Sequence, residues 1–370
     1  KIPLPHRARM IILLSLFVKI IGNGQTKTEF IHRILELGEC LCVDTLNVKK
    51  RLEETGLFLK VEVDTLGDTL LVRLKEYWYI WPLPVINYSF SEGLTLGMGL
   101  YHSNFRGYGE NLYVYFTLGA RKGWEFGWQS PRYRFLKRSY GFSIGSNDYE
   151  SLIYRENIHR DWVEGYFSEN IAENLRTDIS IGLYSYNYAD KFFAYKFTLT
   201  RDKRDWLNYP RKGYALRGKL SENFGNFVLR RFDLQGEFYK TFGNFTLSAY
   251  LGYSRVFGEE RFYFMPNFIG TDDALRGNLP KERIIGRERV IFSLEPRFLL
   301  LNRIPFLSRF LDGGLGVSPF LDLGFLDGEF GYSLGFGFPI FFSIGDFFPA
   351  LVYNRRTGLG FYLGNLIRIR

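Results

Sequence analysis

Cysteine is nearly missing from this chain. Only Cys40 and Cys42 occur among 370 residues, and the four histidines, His6, His32, His102 and His159, are scattered. A Cys-x-Cys pair with no His or Cys cluster beside it lacks the ligand set of a zinc site, so no metal centre is expected. The pair is read as two bland thiols, or as a strained local disulfide in an oxidising compartment. Also missing is any run of the roughly 18–20 apolar residues that a membrane-crossing helix needs. The longest apolar run, Ile11 to Val18, is broken by Ser15 and follows Lys1, Arg7 and Arg9. It has the look of a signal-peptide core, without a small-x-small cleavage site after it. Residues 1–15 are therefore expected to be an N-terminal segment, a signal-peptide remnant. The start at Lys1 rather than Met leads us to expect a natural N-terminus further upstream. No P-loop, zinc spacing or pair of catalytic carboxylates is found. Gly141-x-Ser143-x-Gly145 and Gly331-x-Ser333-x-Gly335 fit the hydrolase elbow in letters only. That elbow needs a strand-turn-helix setting with His and Asp partners, and both matches sit in alternating, strand-like segments. Neither an enzyme nor a cofactor-binding protein is expected.

Aromatics and glycine are abundant instead, with 37 Phe, 25 Tyr and 39 Gly. Strands bearing these residues, with aromatics near both interfaces, suit an outer-membrane barrel. The net charge is +9, but basic and acidic residues are interleaved, as in Lys281-Glu282-Arg283 and Arg287-Glu288-Arg289. Such mixing reads as solvated loops, with anionic lipid head groups, lipopolysaccharide included, as contacts. No nucleic acid is expected as a partner.

Residues 16–77 have the pattern of a small domain. Leu16 to Gly22 reads as a strand. Lys27 to Leu37 follows as an amphipathic helix with Phe30, Ile31, Ile34 and Leu37 on one face, stopped by Gly38. Asp44 is placed to cap a second helix, Thr45 to Glu54, with Leu46 and Leu52 as its apolar positions, ending near Gly56. Two short strands come next, Leu59-Val61-Val63 and Leu71 to Leu74, on either side of Gly67-Asp68. The order is βααββ. With Gly22-Asn23-x-x-Thr26, Gly38, and Leu52-x-x-Thr55-Gly56-Leu57-Phe58 before Val61 and Val63, this segment resembles a POTRA domain. The resemblance implies that it receives extended polypeptide at a strand edge.

From residue 78 to 370 the period changes to two. Leu94, Leu96, Met98 and Leu100 share one face; Ile179, Ile181 and Leu183 oppose Asp178, Ser180 and Gly182; Phe245, Leu247, Ala249 and Leu251 oppose Thr246, Ser248 and Tyr250. The polar faces carry Lys196, Asp233, Glu237, Glu295, Arg297 and Asp322. A soluble sandwich would bury the apolar faces against each other. A membrane barrel turns them to lipid and keeps a polar lumen, which this composition favours. At roughly 18 residues per strand and connection, the segment holds about 16 strands. The fold class expected is mostly β: a transmembrane antiparallel barrel of about 16 strands preceded by one small βααββ domain.

The most informative stretch runs from Leu275-Arg276-Gly277 to Gly324. Alternation puts Val290, Phe292, Leu294, Pro296 and Phe298 toward lipid, so Ser293, Glu295 and Arg297 face the lumen, as does Asp322 in Phe320-x-Asp322-x-Gly324. A long loop entering the lumen would bring Arg276 to Glu295 and Asp322, partners it needs if buried. Pro210-x-x-Gly213, after Asp202-x-Arg204-Asp205, and Asn104-Phe105-Arg106-Gly107-x-Gly109 read as ordinary hairpin turns whose charges leave the membrane.

These motifs, across about Leu16 to Leu366, resemble the BamA/TamA (bacterial surface antigen) superfamily of POTRA-plus-barrel outer-membrane proteins. The family's (V/I)-R-G-(F/Y) loop tip is matched at Arg276-Gly277, with Asn278 in place of the aromatic. Its inward Glu and its F-x-D-x-G strand match Glu295 and Phe320-x-Asp322-x-Gly324, and its Pro-x-x-Gly turn matches Pro210 and Gly213. Arg356-x-Gly358-x-x-Phe361-x-Leu363 resembles the assembly signal of such barrels, although the chain ends in Arg370 rather than Phe. The resemblance implies an outer-membrane assembly factor with its POTRA domain in the periplasm. Its partners would be unfolded outer-membrane or secreted polypeptides, membrane lipid and periplasmic accessory proteins. The lateral seam would lie between the first strand, with Pro82 and Pro84, and the last, with Gly358, Gly360, Phe361 and Leu363. A two-partner-type secretion pore, the barrel anchor of a longer surface enzyme, and a passive porin are the rival readings.

Overall fold

The computed structural model describes residues 17–35, 45–89, 93–133, 136–151, 156–205, 210–226, 228–258, 267–269, 275–276, 284–301, 313–342, 345–355 and 358–364. The expectations placed on residues 1–16, Leu37, Gly38, Cys40, Cys42, Asp44, Gly277, Asn278, 281–283, Arg356 and 365–370 lie outside them. The chain divides into two compact units. One comprises Lys1–Pro84, Met98–Tyr115 and Phe126–Gly141, the other Val85–Gly97, Phe116–Glu125 and Phe142–Arg370.

In the first unit the elements β1 (Phe17–Ile21), α1 (Thr28–Leu35), α2 (Thr45–Glu54), β2 (Phe58–Leu66) and β3 (Thr69–Glu76) follow in the expected order. The sheet order is β1-β3-β2, with β1 parallel and β2 antiparallel to β3. Phe30, Ile31 and Ile34 of α1 are buried with Val48 and Leu52 of α2 against Leu70, Val72 and Leu74. The sequence reading of α2 needs one correction. Leu46 is exposed and Val48 is the inward residue. Positions 48 and 52 are one turn apart on a single helix face, whereas 46 and 52 are not. Gly22, with φ +93°, has no room for a side chain: an added Cβ would stand 2.0 Å from the Leu74 carbonyl oxygen.

The strands that follow are β4 (Ile80–Ser89), β5 (Gly93–Phe105), β6 (Glu110–Gly119), β7 (Arg121–Gln129), β8 (Arg138–Ser151), β9 (Glu156–Ala172), β10 (Leu175–Tyr186), β11 (Asp190–Asp202), β12 (Gly213–Gly225), β13 (Leu229–Phe242) and β14 (Phe245–Gly258). A short hairpin, β15 (Asn267–Ile269) and β16 (Ile284–Gly286), interrupts the series. After it come β17 (Glu288–Leu301), β18 (Gly313–Leu326), β19 (Glu329–Gly337), β20 (Ile340–Phe342), β21 (Gly345–Asn354) and β22 (Gly358–Gly364). The series from β4 to β14 and from β17 to β22 pairs neighbour to neighbour, and β22 returns to β4 to close the barrel. β19 and β20 both pair with β18 and β21, so they are two pieces of one strand broken at Phe338-Pro339. Counted so, the barrel has about 16 strands, as the length implied. A closed ring excludes the sandwich. Its outer face is apolar: Leu94, Met98, Leu183, Leu251 and Leu334 are exposed, while Thr95, Thr200, Thr246, Ser248 and Ser333 are buried within. That inversion of a soluble protein is what a lipid-facing barrel requires. Both Gly-x-Ser-x-Gly matches lie inside strands, β8 and β19.

Candidate functional site: a buried arginine latch

Burial along β17 alternates, with Ile291, Ser293, Glu295 and Arg297 inward. Along β18, Phe320, Asp322, Gly324 and Leu326 turn the same way. Strand pairing sets Asp322 opposite Ser293 on one side and Ser333 on the other. The second register follows from the two-residue turn Asp327-Gly328, where both φ angles are positive, as an Asp-Gly hairpin turn demands.

Arg276 reaches this row from the connection between β14 and β17. The β15–β16 hairpin packs against β17 and β18, and Leu275 is buried on Leu326. The guanidinium of Arg276 is 0% exposed, as is Asp322. Nε donates to Asp322 Oδ2 at 2.8 Å and Nη2 to Oδ1 at 2.7 Å, a two-pronged fork. Nη1 donates to Glu295 Oε2 at 2.8 Å, and Nη2 also to Ser293 Oγ at 3.1 Å. The backbone N–H of Arg276 adds a contact to Asp322 at 3.3 Å. Ser293 and Ser333 donate to Asp322 at 2.7 and 3.4 Å. The guanidinium carbon sits 3.6 Å from the ring centre of Phe320 and 5.0 Å from that of Phe348. Aromatic faces and two carboxylates thus replace the water that a buried cation loses. Chemically this arrangement binds and holds.

The structure brings together Leu275, Arg276, Glu295 and Asp322 as the alternation required, with Gly324 buried in the same row. Ser293, Phe320, Ser333 and Phe348 complete the site; sequence reasoning put Ser293 in the lumen and quoted Phe320 and Ser333 within motifs, but assigned none of the four to Arg276. The signal for Ser333 was available in the Asp-Gly turn. Phe348 is a distant strand's residue with no local signature. Asp202-x-Arg204-Asp205 was read as an ordinary charged turn; within it Arg204 is buried and donates to Glu237 Oε2 at 2.9 Å. Gly213, with φ +106°, would place a Cβ 2.1 Å from the Lys203 carbonyl. Lys203 N–H donates to the Tyr214 carbonyl at 2.8 Å, so the β11–β12 pairing carries on past Asp202, and the alternation that buries Thr200 also turns Arg204 inward.

Comparison with known proteins bears on the fold. No protein-family model matches, nor does any curated protein. Among solved structures the chain is similar to BamA from Haemophilus ducreyi lacking POTRA domains 1-3. The identity is 16% and the TM-score 0.66, over 95% of this chain and 83% of that one. It is also similar to CdiB from Escherichia coli (12% identity, TM-score 0.63, 95% and 76% covered) and from Acinetobacter baumannii (12%, 0.60, 95% and 73%). The fold is that of the BamA and CdiB barrels.

Within the BamA-type fold, the other sequence-predicted residues fall in two places. The seam prolines, Pro82 and Pro84, lie exposed in β4, and Gly358, Gly360, Phe361 and Leu363 lie in β22, its partner at the closure. The small-domain motif lies in the first unit. Leu57 and Phe58 are buried in its core, and Gly56 takes φ +66° where α2 ends. Asn23 donates to the Thr26 carbonyl and to Thr28 Oγ1 at the start of α1, at 3.1 and 2.9 Å. Thr26 is buried and does more than shape the domain. Its hydroxyl accepts from Asn104 Nδ2 at 2.9 Å and pairs with the Tyr79 hydroxyl at 3.0 Å, which donates to the Leu57 carbonyl at 3.2 Å. Burial pushes the Tyr79 hydroxyl up to about 12, so it stays protonated at neutral pH. Asn104 opens the β5–β6 turn read as an ordinary hairpin. The Gly107 carbonyl accepts from Lys27 N–H at 2.9 Å, and a Cβ on Gly109 would stand 2.7 Å from the Phe30 ring. The turn is a socket for the start of α1.

Proposed function

We propose that this chain is an outer-membrane assembly factor. Its small α/β domain is a POTRA-like receiver in the periplasm that accepts unfolded outer-membrane polypeptide at a sheet edge. The client is passed to the β4–β22 seam and inserted laterally into the bilayer. The observation that carries the reading is the Arg276 latch, joined to the BamA-type fold. A loop drawn into the barrel and held by buried charge braces β17 and β18, leaving mechanical weakness for the seam. There β22 has seven residues, and Pro82 and Pro84 in β4 give no N–H to a ladder. Such an edge is a template for an incoming strand. Membrane lipid and periplasmic accessory proteins are the further partners of this reading.

The test is reconstitution in liposomes with an unfolded outer-membrane barrel as client. We expect the chain to raise the yield of folded client in the bilayer, and Arg276→Ala to remove most of that gain while its own barrel still folds. Full activity in Arg276→Ala, with the loop as protease-resistant as in the wild type, would overturn the role of the latch. Client delivered through the lumen to the far side would favour the secretion pore.

A further inference from the structure

The latch does not end at Glu295. Its other oxygen, Oε1, accepts from Arg297 Nε at 2.7 Å. Arg297 follows Glu295 on the same inward face of β17 and is buried. Its guanidinium lies 5.4 Å from the ring centre of Tyr239, on β13. Tyr239 donates to Glu237 Oε2 at 2.9 Å, and the same oxygen accepts from Arg204 Nη1 at 2.9 Å. Arg204 is in turn gripped by Asp202, through Nε to Oδ1 at 3.0 Å and Nη2 to Oδ2 at 2.7 Å. Space for this line comes from Ser248, which stands opposite both Tyr239 and Glu295 in the ladder. A larger side chain there would fill the place between the Tyr239 ring and Glu295. The result is a series of side chains, buried from Arg276 to Arg204 and ending on the partly buried Asp202, that runs from the loop to the β11–β12 connection.

A carboxylate shared by two arginines is held in one rotamer. If one arginine is lost, the carboxylate is free to turn and the remaining arginine loses a fixed acceptor. We infer that Arg297 is a positioning residue for the latch, and that Arg204 and Glu237 extend its footing to the β11–β12 turn. This rests on the latch reading above and adds to it: the loop is held by residues on β13 and β11 as well as by the wall it touches.

The experiment is hydrogen exchange of the segment carrying Leu275 and Arg276, measured on the full chain in lipid. The variants are Arg276→Ala, Arg297→Met, Arg297→Lys and the double Arg276→Ala/Arg297→Met, each checked for a heat-shifted, folded barrel band. Arg297→Met is expected to speed exchange on the order of tenfold, the coupling expected of residues in one buried network. Arg297→Lys should recover part of the protection, and the double variant should exchange no faster than Arg276→Ala. An unchanged rate in Arg297→Met, or additive effects in the double, would overturn the inference while leaving the latch intact. No change in Arg276→Ala would overturn the latch itself. Should Arg297→Met fail to fold, Arg204→Met carries the test: faster exchange at Arg276 supports the footing, and an unchanged rate overturns it.

Discussion

At the scale of single residues, the latch is asymmetric. Asp322 accepts the two-pronged fork and the backbone N–H of Arg276, whereas Glu295 accepts one bond from it and shares its charge with Arg297. Removing one partner of a buried pair costs about 3–5 kcal/mol, because the other charge is left uncompensated. Asp322→Asn should therefore free the loop more than Glu295→Gln, read as the protease dose that cuts residues 259–287. Equal doses would show that the fork is not the dominant hold. Alternation alone placed Glu295, Arg297 and Asp322 inward, because with a period of two a one-residue slip would turn the whole apolar set away from the outer face. It could not place Phe320 over Arg276 or bring Phe348 to it, since those contacts depend on how distant strands align. Arg204 was given no partner because it was read as part of a turn, whereas the pairing and the alternation of β11 run on past Asp202 and carry it inward to Glu237 on another strand.

Elements tell a similar story. The helices of the small domain were legible from periodicity, with Gly56 at the end of the second, and the one error, Leu46, came from counting apolar residues without their spacing. The β5–β6 turn was legible as a turn but not as a socket, because its partner lies about 80 residues back in the chain. Asn104 and Thr26 meet there through buried polar atoms, and the loss of such a partner costs roughly 1–3 kcal/mol. Thr26→Val, close in shape but without the hydroxyl, should loosen α1 from the turn, seen as faster cleavage after Lys27 with the barrel band unchanged. Wild-type cleavage would mean that Phe30 against Gly109 suffices.

For the whole molecule, strand number followed from length, and the outward apolar face from composition. The closure of β22 on β4 followed from neither, because pairing between the ends of a chain has no local signal. The sequence reading expected a weak seam, with prolines in β4 and glycines in β22, and the ring is closed there. Those two facts are compatible if the seam is the part that opens. A disulfide engineered between the Ile80–Ser89 and Gly358–Gly364 strands, in a chain with Cys40 and Cys42 replaced by serine, tests this most directly. Oxidised, it should abolish client insertion into liposomes, and reduction should restore it. Insertion at the full rate with the seam locked would contradict lateral release.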